Sequence, residues 1–136
     1  MTAPADDLLA QAGRSVWFDL PTTNLADTMS FYTGLLNWDY AQMEDSSLSD
    51  YVMIQAQGKL IGGLRQISKA DKPSSGSTTS GAILYFTVGK LAPSVARARE
   101  LGAEIVGETV DLGIARGRYQ WIRDREGNLV GLWASE

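Results

Sequence analysis

The sequence predicts an α+β fold of two βαβββ modules, which together form a curved mixed sheet around a cleft with the helices outside. Two observations support this prediction. The order strand, helix, strand, strand, strand occurs twice, and one copy slides onto the other so that Leu25 meets Leu91 and Leu35 meets Leu101. The segment 71–81, DKPSSGSTTSG, lies between the copies. Its polar, Gly and Pro residues cannot pack a core, and such a composition is typical of a solvated loop.

Each module begins with a short strand rich in β-branched and aromatic residues, at 16–20 and at 83–88. A helix with apolar residues at helical spacing follows, from an N-cap at Asn24 to a left-handed Asn37, and from Leu91 to Gly102. Three strand-like segments complete each module, at 38–43, 50–56 and 59–67, and at 103–110, 117–123 and 128–134. We therefore predict an N-terminal extension 1–13 and a domain 14–136 that contains module 14–70, loop 71–81 and module 82–134.

The composition excludes several classes of function. The chain has no cysteine and no histidine, so thiol catalysis, disulfides and the commonest general base and metal ligand are all excluded. The net charge is −4 and no basic cluster exceeds two or three residues, which argues against nucleic acid or an anionic membrane as a partner. No glycine-rich phosphate motif follows a strand, and we expect no cofactor. An acidic N-terminus without a long apolar run predicts a cytoplasmic protein.

Four motifs, in this order along the two modules, carry a resemblance to a known family: VWFDLPTTNLADTMSFY, LLNWDY, IGGL and DREGNLVGLW. The chain resembles the glyoxalase/bleomycin-resistance/extradiol-dioxygenase group, the vicinal oxygen chelate superfamily, over roughly residues 14–134. It is most similar to the branch related to lactoylglutathione lyase. The resemblance implies a small-molecule ligand and a possible homodimer.

The resemblance also bears on metal binding. In the metal enzymes of this superfamily the ligands come from the first and last strand of each module. The matching positions here are Trp17, Gly63, Ile83 and Gly131. None of these side chains can bind a metal, so the resemblance implies a member without metal.

The same positions predict which residues line the cleft, because side chains alternate between the two faces of a strand. The predicted ligand-binding residues are Trp17, Asp19, Ile61, Gly63, Arg65, Ile83, Tyr85, Trp121, Gly131 and Trp133. Each glycine either lets a ligand approach closely or packs against Trp17 or Trp121. Trp17 itself is either a stacking wall for a planar ligand or a plug that fills the interior.

Asp19 and Tyr85 are the candidate catalytic residues. A carboxylate on an inward position beside Trp17 is costly unless it is hydrogen-bonded or paired. Asp19 could act as a general base, anchor a cationic ligand, or pair with Arg65 and join two strands. Tyr85 adds a hydroxyl to an otherwise apolar wall.

Three functions fit these observations. The first is a metal-independent protein that binds an apolar or aromatic small molecule in the cleft between the modules. The alternative is a metal-free lyase or isomerase that uses Asp19 or Tyr85 as its acid–base group. The third is a non-catalytic domain that acts by dimerisation, with the cleft packed solid.

Overall fold

The computed structural model of the chain describes residue 13 and residues 15–42, 50–69, 81–113 and 116–135. The predicted loop 71–81 lies outside these residues except for Gly81. The predicted N-terminal extension lies outside them except for Gly13, whose backbone N–H donates to the Thr87 carbonyl at 2.7 Å. None of the helices in the described part of the chain is long and apolar enough to cross a membrane.

The chain divides into two compact units. One comprises Trp17–Ile83, and the other comprises the residues from Leu84 onward together with those up to Val16. Each unit is built on one predicted module. Within each module the elements follow the order strand, helix, strand, strand, strand, so the α+β class with two βαβββ modules is confirmed.

The first module has a mixed sheet in the order β2-β3-β4-β1. Strands β1 and β4 run parallel, whereas β2 with β3 and β3 with β4 are antiparallel. Its elements are β1 (Ser15–Thr22), α1 (Leu25–Leu36), β2 (Asp39–Ala41), β3 (Tyr51–Ala56) and β4 (Lys59–Gln66).

The second module repeats this arrangement in the order β5-β8-β7-β6. Strands β5 and β8 are parallel, and the pairs β7–β8 and β6–β7 are antiparallel. Its elements are β5 (Ile83–Thr87), α2 (Leu91–Glu100), β6 (Glu104–Asp111), β7 (Arg118–Arg123) and β8 (Leu129–Ala134).

The predicted helix ends are confirmed. The Asn24 side chain accepts a hydrogen bond from the Asp27 backbone N–H at 3.1 Å, which satisfies one of the open N–H groups of the first turn of α1. Asn37 ends α1 in the left-handed conformation with φ 58°. Beyond α2, Gly102 has φ 103°, a conformation that glycine adopts without steric cost.

The core of the first module lies between its sheet and α1. Val52, Ile54 and Leu64 are buried in it. The partly buried residues packed against them are Phe18, Leu20, Leu25, Met29, Trp38, Tyr40 and Ile61. Side chains alternate between the two faces along β3 and β4. The residues that precede and follow Val52 and Leu64 in the chain therefore point to the other face of the sheet, where predicted site residues lie.

Candidate functional site

The sheet face opposite α1 holds Asp19, Gly63 and Arg65 of the predicted site residues of the first module. Asp19 on β1 and Met53 on β3 both pair with Gly63 on β4. Tyr51 on β3 pairs with Arg65 in the same way. Paired residues share a face, so Asp19, Gly63 and Arg65 lie together, as predicted.

A hydrogen-bond network joins four side chains of this face, and we call Trp17, Asp19, Tyr51 and Arg65 the polar network. The Asp19 carboxylate accepts from the Tyr51 hydroxyl at 2.6 Å and from Arg65 Nη2 at 2.8 Å. The Tyr51 hydroxyl in turn accepts from Trp17 Nε1 at 2.8 Å. The Arg65 guanidinium carbon also lies 5.8 Å from the centroid of the Tyr51 ring.

Asp19 is 3% exposed, so its charge is nearly removed from water. A buried carboxylate is tolerated when it is paired and hydrogen-bonded, and both of its oxygens are engaged here. The geometry corresponds to the interpretation in which Asp19 pairs with Arg65 and joins β1 to β4.

Sequence reasoning missed Tyr51. The predicted site used only the first and last strand of each module together with Trp121, and Tyr51 lies on β3. β3 and β4 are joined by a two-residue turn at Gln57 and Gly58, and a regular hairpin continued from that turn would pair Tyr51 with Leu64 on the core side of the sheet. The register shift between Ile54 and Gln55 pairs Tyr51 with Arg65 instead, so no sequence pattern marked the face on which Tyr51 lies.

The two glycines make room for tyrosine rings. A Cβ at Gly63 would overlap the Tyr51 hydroxyl, and a Cβ at Gly131 would overlap the Tyr85 ring. The predicted alternative in which these glycines pack against Trp17 or Trp121 did not include the tyrosines, whose atoms lie nearest to a Cβ at either position. The indole N–H groups of Trp17 and Trp121 donate to the hydroxyls of the same two tyrosines.

In the second module the corresponding face is aromatic. Gly131 pairs with Tyr85 on one side and with Trp121 on the other. Tyr119 pairs with Trp133. We call the four rings of Tyr85, Tyr119, Trp121 and Trp133 the aromatic face.

These rings contact one another in defined geometry. The Tyr85 and Tyr119 centroids are 5.4 Å apart at 89°, an edge-to-face contact, and those of Tyr119 and Trp121 are 6.0 Å apart. Trp121 Nε1 donates to the Tyr85 hydroxyl at 2.9 Å, and Trp133 Nε1 donates to the Arg116 carbonyl at 2.9 Å. Tyr119 is the second residue that sequence reasoning missed, because β7 was assigned only through Trp121.

The two predicted isoleucines lie in different surroundings. Ile83 is 6% exposed on β5. Ile61, which was predicted to line the cleft, packs against the core cluster of the first module. A register shift explains this correction: Ile54 pairs with Gly62 and Gln55 pairs with Leu60, so Ile61 is the extra residue of a bulge. Such bulges turn a side chain away from its expected direction.

The residues present do not fit the metal ion of the superfamily's metal enzymes. None of the four matching side chains has an atom that can ligate a metal, and Tyr51 and Tyr85 occupy the space beside Gly63 and Gly131. Among residues 15–42, 50–69, 81–113 and 116–135 no group of three Asp or Glu side chains lies close enough to hold a metal.

An open pocket of about 380 Å³ lies on the other side of the second sheet, next to α2. It is lined by Ile122 and Leu132 of the sheet, by Ser94 and Arg97 of α2, and by Leu101, which follows this helix. Its lining includes none of the predicted site residues, because Ile122 and Leu132 alternate with the residues of the aromatic face.

Two groups outside the polar network and the aromatic face have shifted pKa values. Burial raises the pKa of Tyr40, whose hydroxyl donates to the Met29 carbonyl on the core side of the first sheet. Hydrogen bonds from Asn128, chiefly from its side chain, lower the pKa of Asp124 in the turn between β7 and β8.

The fold and this geometry can be compared with known proteins. A model of the Glyoxalase/Bleomycin resistance protein/Dioxygenase superfamily matches residues 14–132, which is most of the chain. The chain belongs to this superfamily. The predicted resemblance is therefore confirmed, and the changes at the metal-ligand positions are features of a superfamily member.

Two curated relatives are similar in sequence. Anthracycline biosynthesis protein DnrV of Streptomyces peucetius is 25% identical over 130 residues, and anthracycline biosynthesis protein DauV of Streptomyces sp. (strain C5) is 24% identical over 130 residues. Each alignment covers 89% of this chain and 46% of the relative. The chain thus spans about half the length of the curated relatives it matches.

Solved structures with the same fold include methylmalonyl-CoA epimerase from Mycobacterium tuberculosis. It has a TM-score of 0.65 and 18% identity, with 100% of this chain and 93% of that chain covered. A glyoxalase/bleomycin resistance protein/dioxygenase superfamily member from Vibrio splendidus 12B01 has a TM-score of 0.63 and 17% identity, with 90% and 99% covered. At this identity the similarity shows the fold alone.

Proposed function

We propose that the chain is a metal-independent protein that binds a planar aromatic small molecule against the aromatic face of its second module. One observation carries this proposal. Tyr85, Tyr119, Trp121 and Trp133 lie on one face of the sheet, with Tyr119, Trp121 and Trp133 partly exposed.

Such a face suits a flat apolar ligand. Aromatic rings offer a large contact area and have few side-chain torsions to immobilise, so stacking on them costs little entropy. The Trp121 and Trp133 indole N–H groups are hydrogen-bonded within the module. A ligand that contacts these residues therefore meets ring carbon atoms and desolvates few polar groups.

The curated relatives support the ligand class. Both are named for anthracycline biosynthesis, and anthracyclines are planar polycyclic aromatic compounds. Because the chain spans about half of each relative, we carry over only this class of ligand. The CoA-ester epimerases share the fold at low identity, and this chain's face of four aromatic rings favours an aromatic ligand over a CoA ester.

The alternative function, a metal-free lyase or isomerase, has less support. A general base needs an oxygen that can reach the substrate proton. Both oxygens of Asp19 accept hydrogen bonds from its neighbours, and Asp19 is nearly fully buried. Tyr85 is 5% exposed and its hydroxyl accepts from Trp121. Both candidates are thus engaged in holding their own module together.

A ligand titration tests the proposal. The probes are an anthracycline and a smaller planar aromatic such as a hydroxyanthraquinone, followed by tryptophan fluorescence and by thermal unfolding. At about 100 times its dissociation constant a ligand stabilises the fold by about 2.7 kcal/mol, which raises the Tm by several degrees. We expect Trp121→Leu to weaken binding by about tenfold or more, since it removes a central ring.

A matched control separates loss of the site from loss of a tryptophan elsewhere. Trp38 stacks on Tyr32 in the first module at 4.8 Å between centroids, and Trp38→Phe keeps an aromatic ring there. This variant should bind like the unmodified protein. Failure of every planar aromatic to bind, or equal binding by Trp121→Leu, contradicts the proposal. Turnover of a bound compound that is lost in Asp19→Asn with binding retained would favour the enzyme instead.

A further inference from the structure

Gln120 on β7 is a buried polar residue outside the aromatic face. It is 3% exposed and pairs with Leu132, so its side chain lies on the α2 side of the second sheet. Its Nε2 donates to the carbonyls of Val106 and Gly107 at 2.9 and 3.2 Å. Its Oε1 accepts from the Thr109 hydroxyl at 2.9 Å. These three partners all belong to β6, so the Gln120 side chain fixes the path of that strand.

The hydrogen bonds of Gln120 hold a bulge in β6. This strand pairs with β7 up to Val106 and again from Val110, so residues 107–109 stand opposite the single residue Gln120. Gly107 begins the bulge with φ 69°, in the left-handed region that favours glycine at the first position of such a bulge. Bulges are frequent next to binding and active sites, because they change the direction of a side chain.

The bulge changes which side chain borders the aromatic face. Val110 pairs with Tyr119, and paired residues share a face, so an apolar side chain lies beside the Tyr119 ring. If the pairing of Val106 with Trp121 continued regularly along β6, Glu108 would stand opposite Tyr119 instead. The bulge therefore keeps a carboxylate off the aromatic face and places a valine there.

We propose that the bulge held by Gln120 makes the aromatic face selective for uncharged planar aromatics over cationic ones, an inference that rests on the proposed function. A bound ring would remove water from a carboxylate beside Tyr119, and desolvating a carboxylate without a partner is unfavourable. The same carboxylate would attract a cationic ligand. Val110 has neither effect. Gln120 is thus a positioning residue, which acts on the ligand through the path of β6.

Fluorescence titration with two matched probes tests the proposal. One probe is an uncharged hydroxymethyl-anthraquinone, and the other is the corresponding aminomethyl-anthraquinone, which is cationic at neutral pH. The measured selectivity is the ratio of their dissociation constants, and the unmodified protein should bind the uncharged probe more tightly. Gln120→Leu removes the hydrogen bonds that hold the bulge and should shift the selectivity towards the cation by about tenfold.

A second substitution separates the charge of Glu108 from a general loss of structure. The double variant Gln120→Leu/Glu108→Gln lacks the carboxylate, so its selectivity should return to that of the unmodified protein. Glu108→Gln alone should leave the selectivity unchanged, because the bulge already keeps this side chain off the aromatic face. Val110→Glu places a carboxylate beside Tyr119 with the bulge intact. Val110 is 38% exposed, so this variant should fold normally and shift the selectivity towards the cation by about tenfold.

The outcomes distinguish this inference from the proposed function. If neither probe binds the unmodified protein, the proposed function is wrong and the inference falls with it. If both probes bind and Val110→Glu leaves the selectivity unchanged, only the inference is overturned. Unchanged selectivity in Gln120→Leu, or a shift that Glu108→Gln does not reverse, overturns the role of Gln120. Circular dichroism confirms that each variant is folded. If Gln120→Leu does not fold, Thr109→Val takes its place, since it removes only one hydrogen bond of the bulge and should shift the selectivity in the same direction.

Discussion

The two modules place different chemistry at matching positions of their sheets. Beside Gly63 the first module has a carboxylate, Asp19, where the second module has the phenol of Tyr85 beside Gly131. One pair further along, the first module has Tyr51 with Arg65, and the second has Tyr119 with Trp133. One face is held together by an ion pair and charge-assisted hydrogen bonds, and the other by ring contacts.

Against this difference, one feature is common to both modules. In each module a tyrosine ring lies across the glycine and accepts a hydrogen bond from an indole N–H. The tyrosines come from non-matching strands, β3 in the first module and β5 in the second. The space beside the glycine is therefore filled in both, although the strand that fills it differs.

The largest expected effect comes from breaking the ion pair of the first module. Asp19→Ala leaves Arg65 without its buried partner and removes the acceptor of the Tyr51 hydroxyl. Breaking a buried pair from one side costs about 3–5 kcal/mol, and because the Arg65 side chain is 32% exposed, we expect about 3 kcal/mol in the free energy of unfolding, at the lower end. Urea denaturation measures this change.

Glu100→Gln is the control for that experiment. It removes the partner of Arg97 from an ion pair whose side chains are 65% and 66% exposed. Exposed pairs contribute little, so the free energy of unfolding should change by less than about 0.5 kcal/mol. Equal effects of Asp19→Ala and Glu100→Gln would show that burial of the pair does not stabilise the first module.

A smaller effect distinguishes the two tyrosines. Tyr51→Phe removes a hydrogen bond to a carboxylate and should destabilise by about 2 kcal/mol, whereas Tyr85→Phe leaves the Trp121 N–H without its neutral acceptor and should cost about 1 kcal/mol. Thermal and urea unfolding of both variants, side by side, measure the difference. If Tyr85→Phe lowers the free energy of unfolding more than Tyr51→Phe does, the charge of Asp19 does not strengthen the hydrogen bonds of the polar network.

The smallest effect concerns the turns between the last two strands of each module. In the second module the Asp124 carboxylate accepts from the backbone N–H groups of Glu126 and Asn128 and from the Asn128 side chain. These bonds lower its pKa. The turn is therefore stabilised above the ordinary aspartate pKa of about 3.9, and this contribution is lost as the pH falls through the lowered pKa.

The matching turn of the first module provides the control. Gln57 and Gly58 form it with φ 51° and 80° and without an acidic side chain. Carboxyl chemical shifts of Asp124 followed by NMR should give a titration midpoint below that of a free aspartate. Amides of residues 125–128 should shift with that midpoint, and those at 57 and 58 should not. A midpoint at or above the ordinary value contradicts the hydrogen-bonded turn.

The element order and the helix ends could be predicted because they depend on local chemistry. Apolar spacing, the Asn24 cap and the left-handed Asn37 act within a few residues of one another. The pairing of Asp19 with Arg65 was also among the predicted alternatives, because the ligand positions implied by the resemblance, together with alternation along each strand, placed both residues on one face. That step therefore depended on the resemblance and not on local chemistry.

The remaining errors come from register and from packing between strands. The inward direction predicted for Ile61 failed because a bulge shifts the pairing of β3 with β4 at that point, and no sequence pattern marks it. Tyr51 and Tyr119 were missed because their strands were not aligned with the last strand of each module. The partner of each glycine depends on ring orientations, which alternation alone does not determine.

The overlap of each glycine with a tyrosine sets a condition for placing a metal ligand in this chain. Replacing Gly63 or Gly131 with glutamate, the residue type that the resemblance places on the last strand of the metal enzymes, would drive the new side chain into a tyrosine ring. A carboxylate fits there only if the tyrosine changes as well, and at Gly63 that change would also remove a hydrogen bond of Asp19. A carboxylate ligand at either position therefore requires two simultaneous substitutions, because each one alone destabilises its module.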